Sequence, residues 1–128
     1  MTNAELIRQF ESDSLEGEFH HADHVRMVYA YLSESPPLLA LERFSAALKR
    51  YADARGKAGL YHETITFAYF FLVRERMARV PEAGWEEFAA RNADLLVWKD
   101  GVLGRYYQAA TLQSELARSV FVMPDRMA

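Results

Sequence analysis

Apolar residues recur every three or four positions along most of this chain, and that spacing limits what it can fold into. Residues three or four apart share one face of an α-helix, which can then be buried against neighbouring helices. The repeat is clear in Leu41, Phe44, Leu48 and Tyr51. We find no convincing run of alternating apolar and polar residues, which would indicate a half-buried strand. The sequence therefore predicts an all-α protein.

Capping residues and prolines mark where the first three helices begin and end. Thr2 and Glu5 fit a capping box at the start of the first helix. The second helix is predicted to run to about Leu32, where residues 35–37, Ser-Pro-Pro, stop it and open the third helix. Gly56 then suits the C-cap of the third helix.

The fourth predicted helix, about residues 60–79, is apolar on nearly every side between Ile65 and Val73, which is typical of a central helix. A fifth amphipathic helix is predicted over residues 85–96, followed by one or two short helices and an extended tail. Short connections favour antiparallel neighbours. We predict a four- to five-helix antiparallel bundle with a short helical C-terminal extension, forming a single domain over residues 1–128.

Composition excludes several classes of function. The 128 residues contain no cysteine, which excludes disulfides, thiolate metal sites and cysteine nucleophiles. A net charge of −3 indicates no nucleic-acid partner. The N-terminus lacks the apolar core of a signal peptide, and the longest apolar stretch, residues 67–73, is far shorter than the roughly 20 residues that span a bilayer. We therefore expect no membrane partner and a cytoplasmic location.

Three of the four histidines lie just before or within the start of the second predicted helix. His21 is four residues before Val25, on the apolar stripe of that helix, and His24 lies on the flank of the stripe. His20 is turned further toward solvent. The spacing predicts that His21 and His24 both face inward from the first turn.

Two imidazoles three residues apart form a workable chelate for zinc, nickel, copper or iron. The remaining histidine, His62, stands beside Glu63 at the head of the fourth helix. We predict that His21, His24, His62 and Glu63 bind a divalent transition metal, with Glu63 either a fourth ligand or the general base that activates a metal-bound water.

Two other interpretations of these residues stay open. The histidines can be hydrogen-bonded core or capping residues, with Glu63 paired to an arginine such as Arg26 or Arg105. Metal-free acid–base chemistry by His62 and Glu63 is the third interpretation, although no partner nucleophile is evident in the sequence.

Three blocks of the chain resemble a family of short uncharacterised bacterial proteins. The blocks are F-x-H-x-x-H from Phe19 to His24, YHETIT at residues 61–66, and RYYQAATLQSELARSVFVMPD at residues 105–125. The resemblance covers most of the chain in order but implies no activity. It implies that His21, His24, His62 and Glu63 form one constellation. It further implies that this constellation is lined by Tyr106, Ser114, Arg118 and Asp125.

The leading hypothesis is a small helical metal-binding protein, with metalloenzyme activity on an unidentified small molecule as its extension. The alternative is a non-catalytic ligand-binding or protein-interaction module in which the His and Glu cluster is structural. The sequence does not decide whether the chain is an enzyme. It is also compatible with a homodimer in which the fourth helix lies at the interface.

Overall fold

A computed structural model describes residues 1–81 and 84–126. Within these residues the chain is helical and contains no strand, which confirms the predicted all-α class. Five helices of seven residues or more agree with the predicted four to five, and two shorter ones form the C-terminal extension. The helices are α1 (Asn3–Glu11), α2 (His21–Glu34), α3 (Pro37–Ala54), α4 (Glu63–Arg79), α5 (Trp85–Arg91), α6 (Ala109–Leu112) and α7 (Glu115–Ser119).

The chain divides into two compact units, an N-terminal unit of Met1–Tyr61 and a C-terminal unit of His62–Ala128. The prediction of one domain over residues 1–128 stays a prediction. No helix within the described ranges combines the length and apolar character needed to cross a membrane.

The N-terminal unit consists of α1, α2 and α3, each packed against the other two. The predicted caps are present. Thr2 Oγ1 accepts a hydrogen bond from the Glu5 N–H, and the Glu5 carboxylate accepts one from the Thr2 N–H, both at 3.1 Å. Pro37 is the first residue of α3. Gly56 follows that helix with φ +68°, a left-handed conformation that glycine adopts without strain.

Aromatic rings form the core at one end of the N-terminal unit. Phe10 lies at 5.3 Å from Phe19, 6.2 Å from Phe44 and 5.2 Å from Tyr51, measured between ring centroids. Such pairs add about 0.5–1.5 kcal/mol each beyond the area they bury. We call these four rings the aromatic cluster. It lies next to the start of α2.

The C-terminal unit is built on α4, which contacts α7 and the 3₁₀ turn Val102–Arg105. Tyr69, Phe70 and Val73 on α4 are buried, but Phe71 is 43% exposed, so this helix is not covered on every side. Gly101 lies where a Cβ would come within 2.7 Å of the Val97 carbonyl oxygen, so only glycine fits there.

Two predicted boundaries are wrong. Helix α4 starts at Glu63 and not at residue 60, because Ala58–Leu60 forms a separate 3₁₀ turn. Helix α5 ends at Arg91, and Ala93–Leu96 continues as 3₁₀. Asn92 leaves the helical conformation at φ −126°, ψ 41°, where its side-chain oxygen accepts a hydrogen bond from Arg76 at 2.9 Å.

Candidate functional site

The histidine segment enters α2 through a cap made by Asp23. The Asp23 carboxylate accepts a hydrogen bond at 2.9 Å from the backbone N–H of His20, the residue just before the helix. His20 is exposed, as predicted, and its ring lies 3.1 Å from the Glu18 carboxylate. His20 is thus a surface residue with its own partner.

His21 and His24 lie side by side, as their spacing predicts. Their ring centroids are 6.3 Å apart at an interplanar angle of 70°, and both residues are half-buried. The pair occupies the first turn of α2, where the backbone is fixed by the cap.

His24 packs its ring on the aromatic cluster. The centroid distances are 5.1 Å to Phe44 and 6.5 Å to Phe19. Its Nε2 atom is inaccessible to solvent and has no hydrogen-bond partner among the described residues. Burial, and next the neighbouring His21, lower the pKa of His24 to about 3. The ring is therefore neutral at physiological pH, the protonation state in which imidazole binds metals.

His62 is not part of a helix; it is the N-cap of α4. Its Nδ1 accepts a hydrogen bond from the Ile65 N–H at 3.1 Å, so the ring proton is on Nε2. Nε2 lies 2.6 Å from the carbonyl oxygen of Leu112 and donates to it. Both nitrogens of His62 are thus used in holding the C-terminal unit together. Metal binding by this ring would require it to give up one of these bonds.

Glu63 is the first residue of α4 and is half-buried. A carboxylate at this position favours the helix, because the N-terminal end of a helix carries partial positive charge. The helix end therefore favours an acidic residue at this position. The role of Glu63 as ligand or general base stays a prediction.

The residues that the family resemblance added as lining have structural partners within the C-terminal unit. Ser114 is the N-cap of α7, since its Oγ accepts a hydrogen bond from the Ala117 N–H at 3.1 Å. Arg118 lies 4.0 Å from the Glu115 carboxylate. Tyr106 supplies its backbone carbonyl, and Asp125 its carboxylate, to contacts between the chain end and the turn at residues 106–111.

No group of three or more His, Asp or Glu side chains within residues 1–81 and 84–126 is arranged to hold a metal ion. His21 and His24 belong to the N-terminal unit, and His62 and Glu63 belong to the C-terminal unit. The four-ligand site stays a prediction.

A polar network that we did not predict lies on the N-terminal unit. The Glu11 carboxylate accepts hydrogen bonds from the Tyr31 hydroxyl at 2.7 Å and the Arg43 guanidinium at 3.1 Å. Burial, and then the bond to Glu11, raise the pKa of Tyr31 far above its usual value. A shallow cleft of about 460 Å³ borders the network. The three residues are 20 and 32 positions apart, so no local motif could have indicated them.

Comparisons of the chain with protein-family models, with curated proteins and with solved structures give no match.

Proposed function

We propose that the N-terminal unit binds one divalent transition metal ion through the imidazoles of His21 and His24. The observation that supports this most is the Nε2 atom of His24, which is buried without a hydrogen-bond partner in the described chain. A buried polar atom in this state costs about 1–3 kcal/mol, a cost that a bound ion or another ligand would remove.

The chemistry of the pair suits such an ion. Neutral imidazole nitrogen is a common ligand of zinc, copper, nickel and iron, and the low pKa of His24 keeps its ring neutral. Zinc–nitrogen bonds of about 2 Å would place the centroids of two coordinating rings about 5 Å apart. The observed 6.3 Å is longer than this value, so binding of an ion would draw the two rings closer together; His21 is the first residue of α2.

Two imidazoles leave the other coordination positions of the ion to water or to an exogenous ligand. A divalent ion held in this way would supply Lewis-acid chemistry to a small molecule bound beside it. In this proposal His21 and His24 hold the ion, and Asp23 fixes the helix end that presents them.

The test is a calorimetric titration of the untagged, metal-free protein with Zn²⁺, repeated with Ni²⁺. We expect one ion per chain. The variant His24→Ala should bind the ion at least 10-fold more weakly, because loss of a residue that only hydrogen-bonds to a metal ligand already weakens binding about 10- to 100-fold. His20→Ala is the matched control, because His20 is exposed and already paired with Glu18, and its affinity should equal that of the wild type. Equal affinities in wild type and His24→Ala would overturn the proposal.

A second candidate function is a non-catalytic interaction module in which the histidines are structural. The hydrogen bonds made by both nitrogens of His62 favour it. It predicts that a chelator leaves the melting temperature unchanged. Metal at 100 times its dissociation constant would instead stabilise the fold by about 2.7 kcal/mol, a shift of several degrees that chelation would reverse.

A further inference from the structure

A tight turn of the C-terminal unit contains the sequence Asp-Gly. The Gly101 N–H donates to the Trp98 carbonyl at 3.2 Å, which closes the turn at residues 98–101. Asp100, the third residue of this turn, has φ +53°, a left-handed conformation that is uncommon for residues other than glycine. Opening of this hydrogen bond would release Asp100 from that conformation and free the backbone nitrogen of Gly101.

The fold requires glycine at position 101. A Cβ there would lie 2.7 Å from the Val97 carbonyl oxygen, 2.9 Å from the Trp98 carbonyl oxygen and 3.1 Å from the Tyr69 hydroxyl. The first two atoms belong to the backbone, which cannot move aside as the end of a side chain can. The residue after Asp100 therefore has no side chain that would shield its backbone nitrogen.

A second aspartate with positive φ offers a comparison. Asp13 has φ +56°, but its carboxylate lies 2.6 Å from the Arg55 guanidinium, and Ser14 follows it. The Asp100 carboxylate is exposed and makes no hydrogen bond or ion pair with any residue in the ranges 1–81 and 84–126. Among the aspartates of the sequence, Asp100 alone precedes a glycine. Asp100 thus combines an unpaired carboxyl group with an unshielded neighbouring amide.

We propose that Asp100 is a modification site at which aspartate isomerises spontaneously to isoaspartate. The Gly101 nitrogen attacks the carboxyl carbon Cγ of protonated Asp100. A C–N bond forms, and the proton of the nitrogen leaves with the carboxyl hydroxyl as water. Water then adds to one of the two carbonyl carbons of the resulting five-membered imide.

The bond that this water cleaves decides the product. Cleavage between Cγ and the nitrogen restores aspartate. Cleavage of the original peptide bond leaves isoaspartate, in which the main chain passes through Cβ and Cγ of residue 100. The reaction consumes no reagent, because the water that adds replaces the water that left.

Isoaspartate would lengthen the backbone inside this turn by one carbon. The backbone at Gly101 is in close contact with two carbonyl groups, so the longer chain cannot keep both these contacts and the bond to Trp98. The Gly101 carbonyl also accepts from the Gly104 N–H at 3.1 Å, within the 3₁₀ turn that contacts α4. Isomerisation should therefore weaken the attachment of that 3₁₀ turn to α4. This proposal concerns the C-terminal unit alone and does not depend on metal binding.

The test incubates the full-length wild-type protein in water enriched in ¹⁸O, at neutral pH and physiological temperature, for several weeks. Each passage through the imide places one ¹⁸O atom in residue 100, whichever bond is cleaved. Fragmentation mass spectrometry of the peptides locates the label. A peptidase that cleaves before aspartate but not before isoaspartate distinguishes the two products. Asp13, which has nearly the same φ, is the internal control.

We expect ¹⁸O and isoaspartate to accumulate at residue 100 and not at residue 13. Asp100→Glu keeps the negative charge but would have to close a six-membered ring, so this variant should lose the label at residue 100. The aged wild type should also unfold at a lower urea concentration than fresh protein, whereas aged Asp100→Glu should not differ from fresh Asp100→Glu. Comparison of residues 13 and 100 needs the wild type alone, so it holds even if Asp100→Glu fails to fold. Absence of label at residue 100, or equal label at both residues, would overturn the proposal.

Discussion

His24 places a polar nitrogen against aromatic rings without a hydrogen-bond partner in the described chain. Buried polar atoms are nearly always satisfied in folded proteins, and each exception calls for an explanation such as an unseen ion or a functional role. The spacing of His21 and His24 predicts their proximity, because it depends only on helix geometry. The isolation of Nε2 could not be predicted from helical spacing, since the Phe44 ring that packs on His24 belongs to another helix.

Replacing His24 by Phe should stabilise the metal-free protein. The substitution removes the unsatisfied nitrogen and keeps a flat ring on the aromatic cluster, so we expect the free energy of unfolding to rise by about 1 kcal/mol. Urea denaturation in the presence of a chelator measures it. A fall of similar size would show that the His24 ring has a polar partner and would remove the main support for the metal site.

Thr64→Val should destabilise the C-terminal unit. Valine has nearly the shape of threonine, but it leaves the Val120 carbonyl and the Val122 N–H without their hydroxyl partner, at a cost of about 1–3 kcal/mol.

We call residues 120–126 the tail. The matched control for Thr64→Val is Thr66→Val on the same helix, because Thr66 is also buried and bonds no residue of the tail among those described. Denaturant unfolding of both variants should show the larger loss for Thr64→Val. Equal losses would mean that the hydroxyl of Thr64 does not hold the tail.

At the scale of helices and segments, hydrogen bonds join the YHETIT block to the last part of the sequence. His62 and Thr64 contact Leu112, Val120 and Val122, which are 50 to 58 positions away in the sequence. The family resemblance singles out both blocks. The sequence cannot show that they contact each other, because no local pattern indicates that a hydroxyl of α4 bonds an extended segment. In the run SVFV at residues 119–122, Ser119 ends α7 and Val120 is extended. Among the described residues, the hydroxyls of Thr64 and Tyr107 bond this segment where a partner strand would.

The N-cap of α4 can be separated from the contact with Leu112 by two substitutions of His62. Asparagine is a good N-cap but is too short to reach the Leu112 carbonyl, whereas alanine does neither. We expect His62→Ala to lose about 1 kcal/mol more unfolding free energy than His62→Asn, measured by urea denaturation. Equal losses in the two variants would show that His62 does not cap α4.

Attachment of the tail should weaken in acid. The Thr111 hydroxyl, and then the Gln108 N–H, lower the pKa of Asp125 below its usual value of about 3.9. A lowered folded-state pKa stabilises the attached tail above the unfolded pKa, and this contribution is lost as pH falls through the folded value.

The Gln108 amide resonance, followed from pH 6 downward, should therefore titrate with a midpoint below about 3.9. Asp125→Asn is the control and should remove the titration, because an amide carries no ionisable proton there. A wild-type midpoint at or above 3.9 would contradict the contacts assigned to Asp125.

For the whole molecule, the sequence predicts the all-α fold class correctly. Helical spacing, caps and prolines place α1, α2 and α3 to within a few residues, because these signals are local. The end of α5 was missed because Asn92 is held by Arg76, 16 positions earlier, and a contact across the fold decides where the helix stops. The division into two compact units has no linker signal in the sequence.

The two units therefore differ in how far structural contacts account for their candidate site residues. In the C-terminal unit, the side chains of His62, Ser114 and Asp125 have structural partners that account for their presence. In the N-terminal unit, His21 and His24 keep the features of a metal-ligating pair. We propose that these two histidines hold the metal ion.

X-ray absorption at the zinc edge tests that claim most directly. On wild-type protein loaded with one equivalent of Zn²⁺, the multiple scattering typical of imidazole should show at least two histidine ligands at about 2.0 Å. The same measurement on His24→Ala should show one imidazole fewer. A zinc shell of oxygen ligands alone, unchanged by His24→Ala, would show that His21 and His24 do not bind the ion.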